Sequence, residues 1–181
     1  MYISATELPE VKVLQWEEHI EVRGSSYSHY SQRNLQDAGI IFDCVEETVY
    51  HSHKEGTFYG IHFQNMPMAQ AKLLYCIAGS GLDFAIDLRK QSPNYKKWVS
   101  IELSAENRKQ IFIPKGFGHG FFALEDNTKV VMRIDNYFDP EYRRGILWND
   151  PEIGLILPSA APILAPHDIS APLLKVSDCN L

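Results

Sequence analysis

Seven runs of β-branched and aromatic residues, each closed by turn residues, constrain the fold of this chain more than any other feature. They are VKVLQW (11–16), KLLYCIAG (72–79), LDFAIDLR (82–89), KWVSIELS (97–104), KQIFIP (109–114), GFFALE (120–125) and KVVMRIDNYF (129–138). Such residues suit a pleated, half-buried backbone, and turn signals at this spacing are those of sandwiches and jelly rolls. One stretch alone, SHYSQRNLQDAG (28–39), reads as a short helix, ended by Gly39. The segment 158–181 carries four prolines by Pro172 and reads as an extended arm packed over the domain rather than as a helix. At 181 residues with 45% hydrophobic content, the chain suffices for one well-cored domain and is short for two. The sequence therefore predicts a single all-β domain over 1–181, a barrel whose mouth can hold a ligand.

Charge and cysteine usage narrow the function classes. A net charge of -6 leaves no basic face for a phosphate backbone, which argues against a nucleic-acid partner. Cys44, Cys76 and Cys179 are odd in number and lack CxxC spacing, so neither a disulfide framework nor a thiolate zinc site is expected, and a reducing cytoplasm is the simplest compartment. No stretch approaches the roughly 20 apolar residues that span a bilayer, and MYISATELPEVKV lacks the basic start and apolar run of an export signal. The expectation is a soluble protein with no membrane partner.

Two histidines stand out. In TFYGIHFQ (57–64), strand alternation puts Gly60, His62 and Gln64 on one face and Ile61 and Phe63 on the other, so His62 points with the polar set. In IPKGFGHGF (113–121), Pro114, Gly116 and His119 fit a P-x-G-x-x-H turn that, in many cupin barrels, aims an imidazole into the cavity. His51, His53, His62 and His119 could supply imidazoles to one ion. However, the metal-binding cupin pattern needs a glutamate a few residues after H-x-H, where this chain has Thr57, with Glu55 too early. No metal is expected. Lys72 begins an apolar strand and shares its face with Leu74 and Cys76; a lysine there is ordinarily solvated. Arg23 precedes Gly24, as phosphate-contacting arginines often do.

Taken together, VRG (22–24), GIHFQ (60–64), QAKLL (70–74), IDLRKQSPNYKKW (86–98), LSAENRKQIFIPKGFGHGF (103–121) and GILWNDPEIGL (145–155) resemble the dTDP-4-dehydrorhamnose 3,5-epimerase family in order and spacing, across nearly the whole chain. The resemblance implies a cupin-type jelly roll, usually a homodimer, with no metal and no organic cofactor. It implies proton exchange at carbons flanking the C4 ketone of a nucleotide-linked 4-keto-6-deoxy sugar, with His62 as base and Asp168 of the arm orienting its ring. An adjacent carboxylate is expected to favour the imidazolium. Lys72 would stabilise the enolate, Arg23 and His119 would contact phosphate or sugar, Gln64 would line the pocket, and Tyr27 would offer an aromatic face to the nucleotide base.

The chain departs from the family at the site. Tyr59 stands where the family has a diphosphate-binding arginine, and tyrosine cannot supply a charged planar fork. The acid tyrosine of the family falls at Met132, which has no proton to give. A second pocket tyrosine falls at Phe138; Tyr137 is adjacent, but alternation turns it from the face of Met132 and Phe138. His167 stands where a lysine usually precedes the arm aspartate. Three readings follow: an epimerase acting at one carbon; an enzyme on a differently decorated nucleotide sugar, its acid rebuilt from Tyr59 or from His51 and His53; or a catalytically silent sugar-nucleotide binder. Retention of His62, Lys72, His119 and Asp168 favours an enzyme, because binding alone does not need an oriented base.

Overall fold

The computed structural model describes residues 1–181. Thirteen strands follow one another as β1 (Tyr2–Ala5), β2 (Lys12–Gln15), β3 (His19–Glu21), β4 (Gly24–Ser26), β5 (Glu46–Ser52), β6 (Phe58–Gln64), β7 (Lys72–Ala78), β8 (Ser80–Asp87), β9 (Trp98–Ser104), β10 (Lys109–Ile113), β11 (Phe117–Ala123), β12 (Thr128–Ile134) and β13 (Arg143–Gly145). Two helical turns complete the chain's regular structure, α1 (Gln32–Asp37) and α2 (Pro166–Ile169), with a 3-10 turn at Leu174–Val176. One sheet runs β1-β2-β10-β7-β12-β5 and the other β13-β6-β11-β8-β9, with β3-β4 a separate hairpin. Every ladder is antiparallel. No helix is long and apolar enough to cross a membrane.

The seven runs read from sequence supply β2 and β7 to β12, and they form strands because both faces of their sheets are covered. Between the sheets lie Leu74, Cys76, Ile111, Ile113 and Val130 from one, against Ala85, Val99, Leu103, Phe117 and Phe121 from the other. The outer face of the six-stranded sheet, with Leu14, Leu73 and Phe112, is covered by Leu35 of α1 together with Ile40 and Phe42. The outer face of the second sheet, with Phe58, Ile61, Phe63, Phe84 and Ile86, is covered by Ile153, Leu155, Leu174 and Cys179. Burial on both faces as far as Cys76 explains why Leu73, Leu74, Tyr75 and Cys76 form an unbroken run rather than an alternating one. The expected helix forms as α1, capped by the Ser31 side chain accepting from the Asn34 N–H, and Gly39 turns the chain away with φ of +76°.

The C-terminal arm differs from the expected extended segment at two places. Pro166 opens the single turn α2, where a missing N–H costs nothing, and Leu174–Val176 forms the 3-10 turn. The arm is tied to the barrel by backbone bonds between Phe58 N–H and Ile163 O (3.0 Å) and between Ile163 N–H and Gly56 O (2.8 Å). Asp150 holds the return: one carboxylate oxygen accepts from Glu152 N–H at 2.7 Å and the other from Leu174 N–H at 2.6 Å.

Candidate active site

A cavity of about 510 Å³ opens between the sheets. One wall is β6 with β13 and β11, carrying Tyr59, His62, Arg143 and His119; the facing wall is β7, β12 and β5, carrying Lys72, Met132 and Tyr50. The arm closes one side with Ile163, His167 and Asp168.

Strand β6 shapes this wall through a bulge. Across β11, His119 pairs with His62 and Gly120 with Gly60, so Ile61 is an extra residue. Beyond that step the alternation inverts. Tyr59 therefore packs in the inter-sheet core beside Tyr50 and Met132, and lines the cavity with His62, while Phe58, Ile61 and Phe63 pack in the outer layer. Gly60 has φ of +133°, and a Cβ there would sit 2.7 Å from both Gly120 Cα and His119 O, so the close crossing of β6 and β11 requires glycine.

His62 Nε2 lies 2.5 Å from Asp168 Oδ1, which joins a strand residue to the arm across 106 positions of sequence. This leaves Nδ1 as the ring nitrogen free to take a proton. Burial pushes the imidazole pKa below its ordinary value, and this outweighs the opposing pull of Asp168. As expected from sequence, the carboxylate favours the imidazolium, but desolvation disfavours the charged ring by more, so the net shift is downward. His167 Nε2 also approaches Asp168 Oδ1, at 3.3 Å. The ligand atoms of His62, His167 and Asp168 lie within 4.8 Å of one another and could hold a divalent ion; the four-imidazole set considered from sequence is not assembled, because His51 and His53 are exposed and outside the cavity lining.

Lys72 is buried, not solvated as a strand-end lysine ordinarily is. Its Nζ donates to His62 O at 3.4 Å, and burial pushes its pKa down to about 8 against the attraction of Asp83. Asp83 is fully buried on β8, its pKa raised by desolvation, and one oxygen meets His119 Nε2 at 3.0 Å. Lys72 and His119 both line the cavity, and buried Asp83, outside the lining, holds His119.

The remaining expected contacts divide. Met132 on β12 and Phe138 both line the cavity and Tyr137 is exposed and outside it, but β12 ends at Ile134, so the strand alternation expected from sequence does not extend to residues 137 and 138. Gln64 reaches the cavity, but its amide is committed to the scaffold, donating to Met68 O (2.7 Å) and Tyr137 O (3.1 Å) and accepting from Asp139 N–H (2.7 Å). Arg23 and Tyr27 lie outside the cavity of their own chain. Arg23 projects from the β3–β4 hairpin and pairs with Glu21 at 2.6 Å; Tyr27 packs edge-on to His29 and beneath Arg108. Sequence reasoning missed Tyr50, Asp83 and Arg143. Arg143 sat unnoticed in an ordinary Arg-Arg pair, although strand β13 registers it against Gln64 and beside His62.

A two-sheet antiparallel barrel with an arm-oriented histidine facing a buried lysine defines a cupin-type jelly roll of the sugar-epimerase class. The comparisons with known proteins agree. The dTDP-4-dehydrorhamnose 3,5-epimerase family model matches residues 5–176, and the chain belongs to that family of isomerases. The chain is 37% identical over 171 residues to a dTDP-4-dehydrorhamnose 3,5-epimerase of Shigella flexneri, covering 94% of each chain. It is 30% identical over 162 residues to a dTDP-4-dehydro-6-deoxyglucose 3-epimerase of a Streptomyces species, covering 88% of this chain and 82% of that one. The structure superposes with a TM-score of 0.92 on a dTDP-4-dehydrorhamnose 3,5-epimerase from Bacillus anthracis solved with TDP and PPi bound, at 36% identity, over 96% of this chain and 99% of that one.

Proposed function

We propose that this chain exchanges a proton and inverts the configuration at C3, C5 or both, beside the C4 ketone of a nucleotide-linked 4-keto-6-deoxy sugar. The observation that carries the reading is His62, bonded to Asp168 and lining one cavity with buried Lys72. His62 Nδ1 takes the acidified α-proton, and Asp168 steadies the imidazolium that forms. The Lys72 ammonium, desolvated and close to neutral pH in its titration, stabilises the enolate oxygen by hydrogen bond and charge. His119, held by Asp83, positions the sugar, and Arg143 supplies cationic charge where Tyr59 has replaced an arginine.

Two further parts of the reading rest on the surface. Ile20 and Val22 of the β3–β4 hairpin are 79% and 106% exposed, and Arg23 and Tyr27 point away from their own cavity. This supports a homodimer in which the hairpin serves a second copy. Free Cys44, Cys76 and Cys179 fit a reducing cytoplasm.

The test is NMR of dTDP-4-keto-6-deoxyglucose incubated with the protein in deuterium oxide. Loss of the C3 signal, the C5 signal or both is expected, with His62→Ala slowing it by roughly 100-fold or more. If no proton exchanges with the thymidine, cytidine or guanosine sugar, the reading fails, and binding of a nucleotide diphosphate without deuterium uptake then marks a silent binder.

A further inference from the structure

We propose that Tyr50 is the proton donor that completes inversion, acting from the wall opposite His62; this rests on the epimerase reading above. Inversion requires a proton to leave one face of a carbon and another to arrive on the opposite face. His62 stands on β6 of the five-stranded sheet, so its counterpart belongs on the six-stranded sheet. Met132 occupies that wall and has no transferable proton. In the β12–β5 ladder Met132 pairs with Thr48 and Val130 with Tyr50. Tyr50 is therefore the diagonal neighbour of Met132 on the same face, about 7–8 Å away by backbone position and within reach of an aromatic side chain.

The other proton-bearing groups are placed differently. Tyr59 belongs to the strand of His62, on the same wall, and its hydroxyl approaches His51 O at 3.5 Å. His51 on β5 and His53 just beyond its end are both exposed and outside the cavity lining, which excludes them as the rebuilt acid. His167 lies beside His62 itself, their ring centres 5.6 Å apart. His119 is held by Asp83. Tyr50 is half-buried, packs edge-on to Tyr59 with ring centres 5.6 Å apart, and its hydroxyl has no partner in the chain. Burial keeps the phenol protonated, and the Arg143 charge, which opposes that effect, favours the phenolate left after transfer.

The step balances. The carbon–hydrogen bond breaks with its proton going to His62 Nδ1 and its electron pair to the enolate. The enolate carbon then takes the Tyr50 hydroxyl proton on its other face, and imidazolium and phenolate return to their resting forms through solvent.

Tyr50→Phe separates the two halves of the reaction while removing one unpartnered hydroxyl. In deuterium oxide the variant is expected to wash deuterium into recovered substrate of unchanged configuration, while formation of the inverted sugar falls by roughly 100-fold or more. Inversion at the wild-type rate would overturn the assignment. So would parallel loss of exchange and inversion in a variant whose thermal unfolding matches the wild type, since that places Tyr50 before proton abstraction. The reading of function itself fails differently, with the wild-type protein exchanging no proton, and Tyr50 then has no donor role.

Discussion

Lys72 is the residue whose environment most departs from the ordinary, and its consequences reach both catalysis and stability. With its ammonium pKa lowered from 10.5 to about 8, it loses its proton just above neutral pH, while His62 gains one only below its usual imidazole range. A bell-shaped kcat/KM profile is expected, its alkaline limb near pH 8 and its acid limb below about 6.5, and Lys72→Met should remove the alkaline limb along with most of the rate. For stability the sign runs the other way. Between pH 8 and 10.5 the unfolded chain holds the proton that the folded chain has released, so stability rises with pH across that window and is depressed below it. Lys72→Met should therefore stabilise the fold at pH 7 by at most roughly 3 kcal/mol, a shift in which the attraction to Asp83 is already contained, and the gain should fade towards pH 10.5 in urea melts.

At the scale of elements, the β6–β11 crossing sets the site. Gly60→Ala drives a Cβ into two backbone atoms of β11 from a backbone angle that disfavours any side chain. A loss of about 2 to 5 kcal/mol is expected in urea unfolding. Gly56→Ala, at φ of +80° with no atom within 4 Å of the added carbon, should lose only about 1 kcal/mol. This crossing also shows where the sequence was legible. Strands β7, β8, β10 and β11 read clearly because most of their residues are buried on both faces, and β9 because buried Val99 and Leu103 alternate with exposed Ser100 and Glu102; the segments carrying the family resemblance hold His62, Lys72 and His119 together with scaffold. Asp87 accepts from Arg89 and Ser92 to close the turn after β8, and Asp150 ties the C-terminal return. Strand β5 was hidden because EETVYHS mixes charge with a single aromatic, its outward residues exposed and its inward ones, buried Ser52 apart, only half-buried. Tyr50 was lost with it. His62 and Gln64 were assigned to the cavity by alternation, which holds only on one side of the bulge; Tyr59 enters because one extra residue reverses the pattern, and no local signal marks that residue. Arg143 and Asp83 needed long-range pairing to be seen at all.

For the whole molecule, the position of Arg23 and Tyr27 sets a testable assembly. Twice the chain mass of 20.7 kDa, about 41 kDa, is expected in light scattering after gel filtration, and Val22→Asp in the hairpin should shift it towards one chain. A single-chain mass for the unaltered protein would remove the homodimer and leave Arg23 without a route to phosphate. The arm has a different kind of consequence. All thirteen strands precede it, yet the carboxylate that aims the base arrives 106 residues after the histidine it serves. During synthesis the strands are therefore all made before the wall of their cavity is finished. A chain cut short ahead of the arm lacks both the carboxylate beside His62 and the Leu174 and Cys179 side chains that cover the second sheet, so the same last stretch completes the site and the fold together.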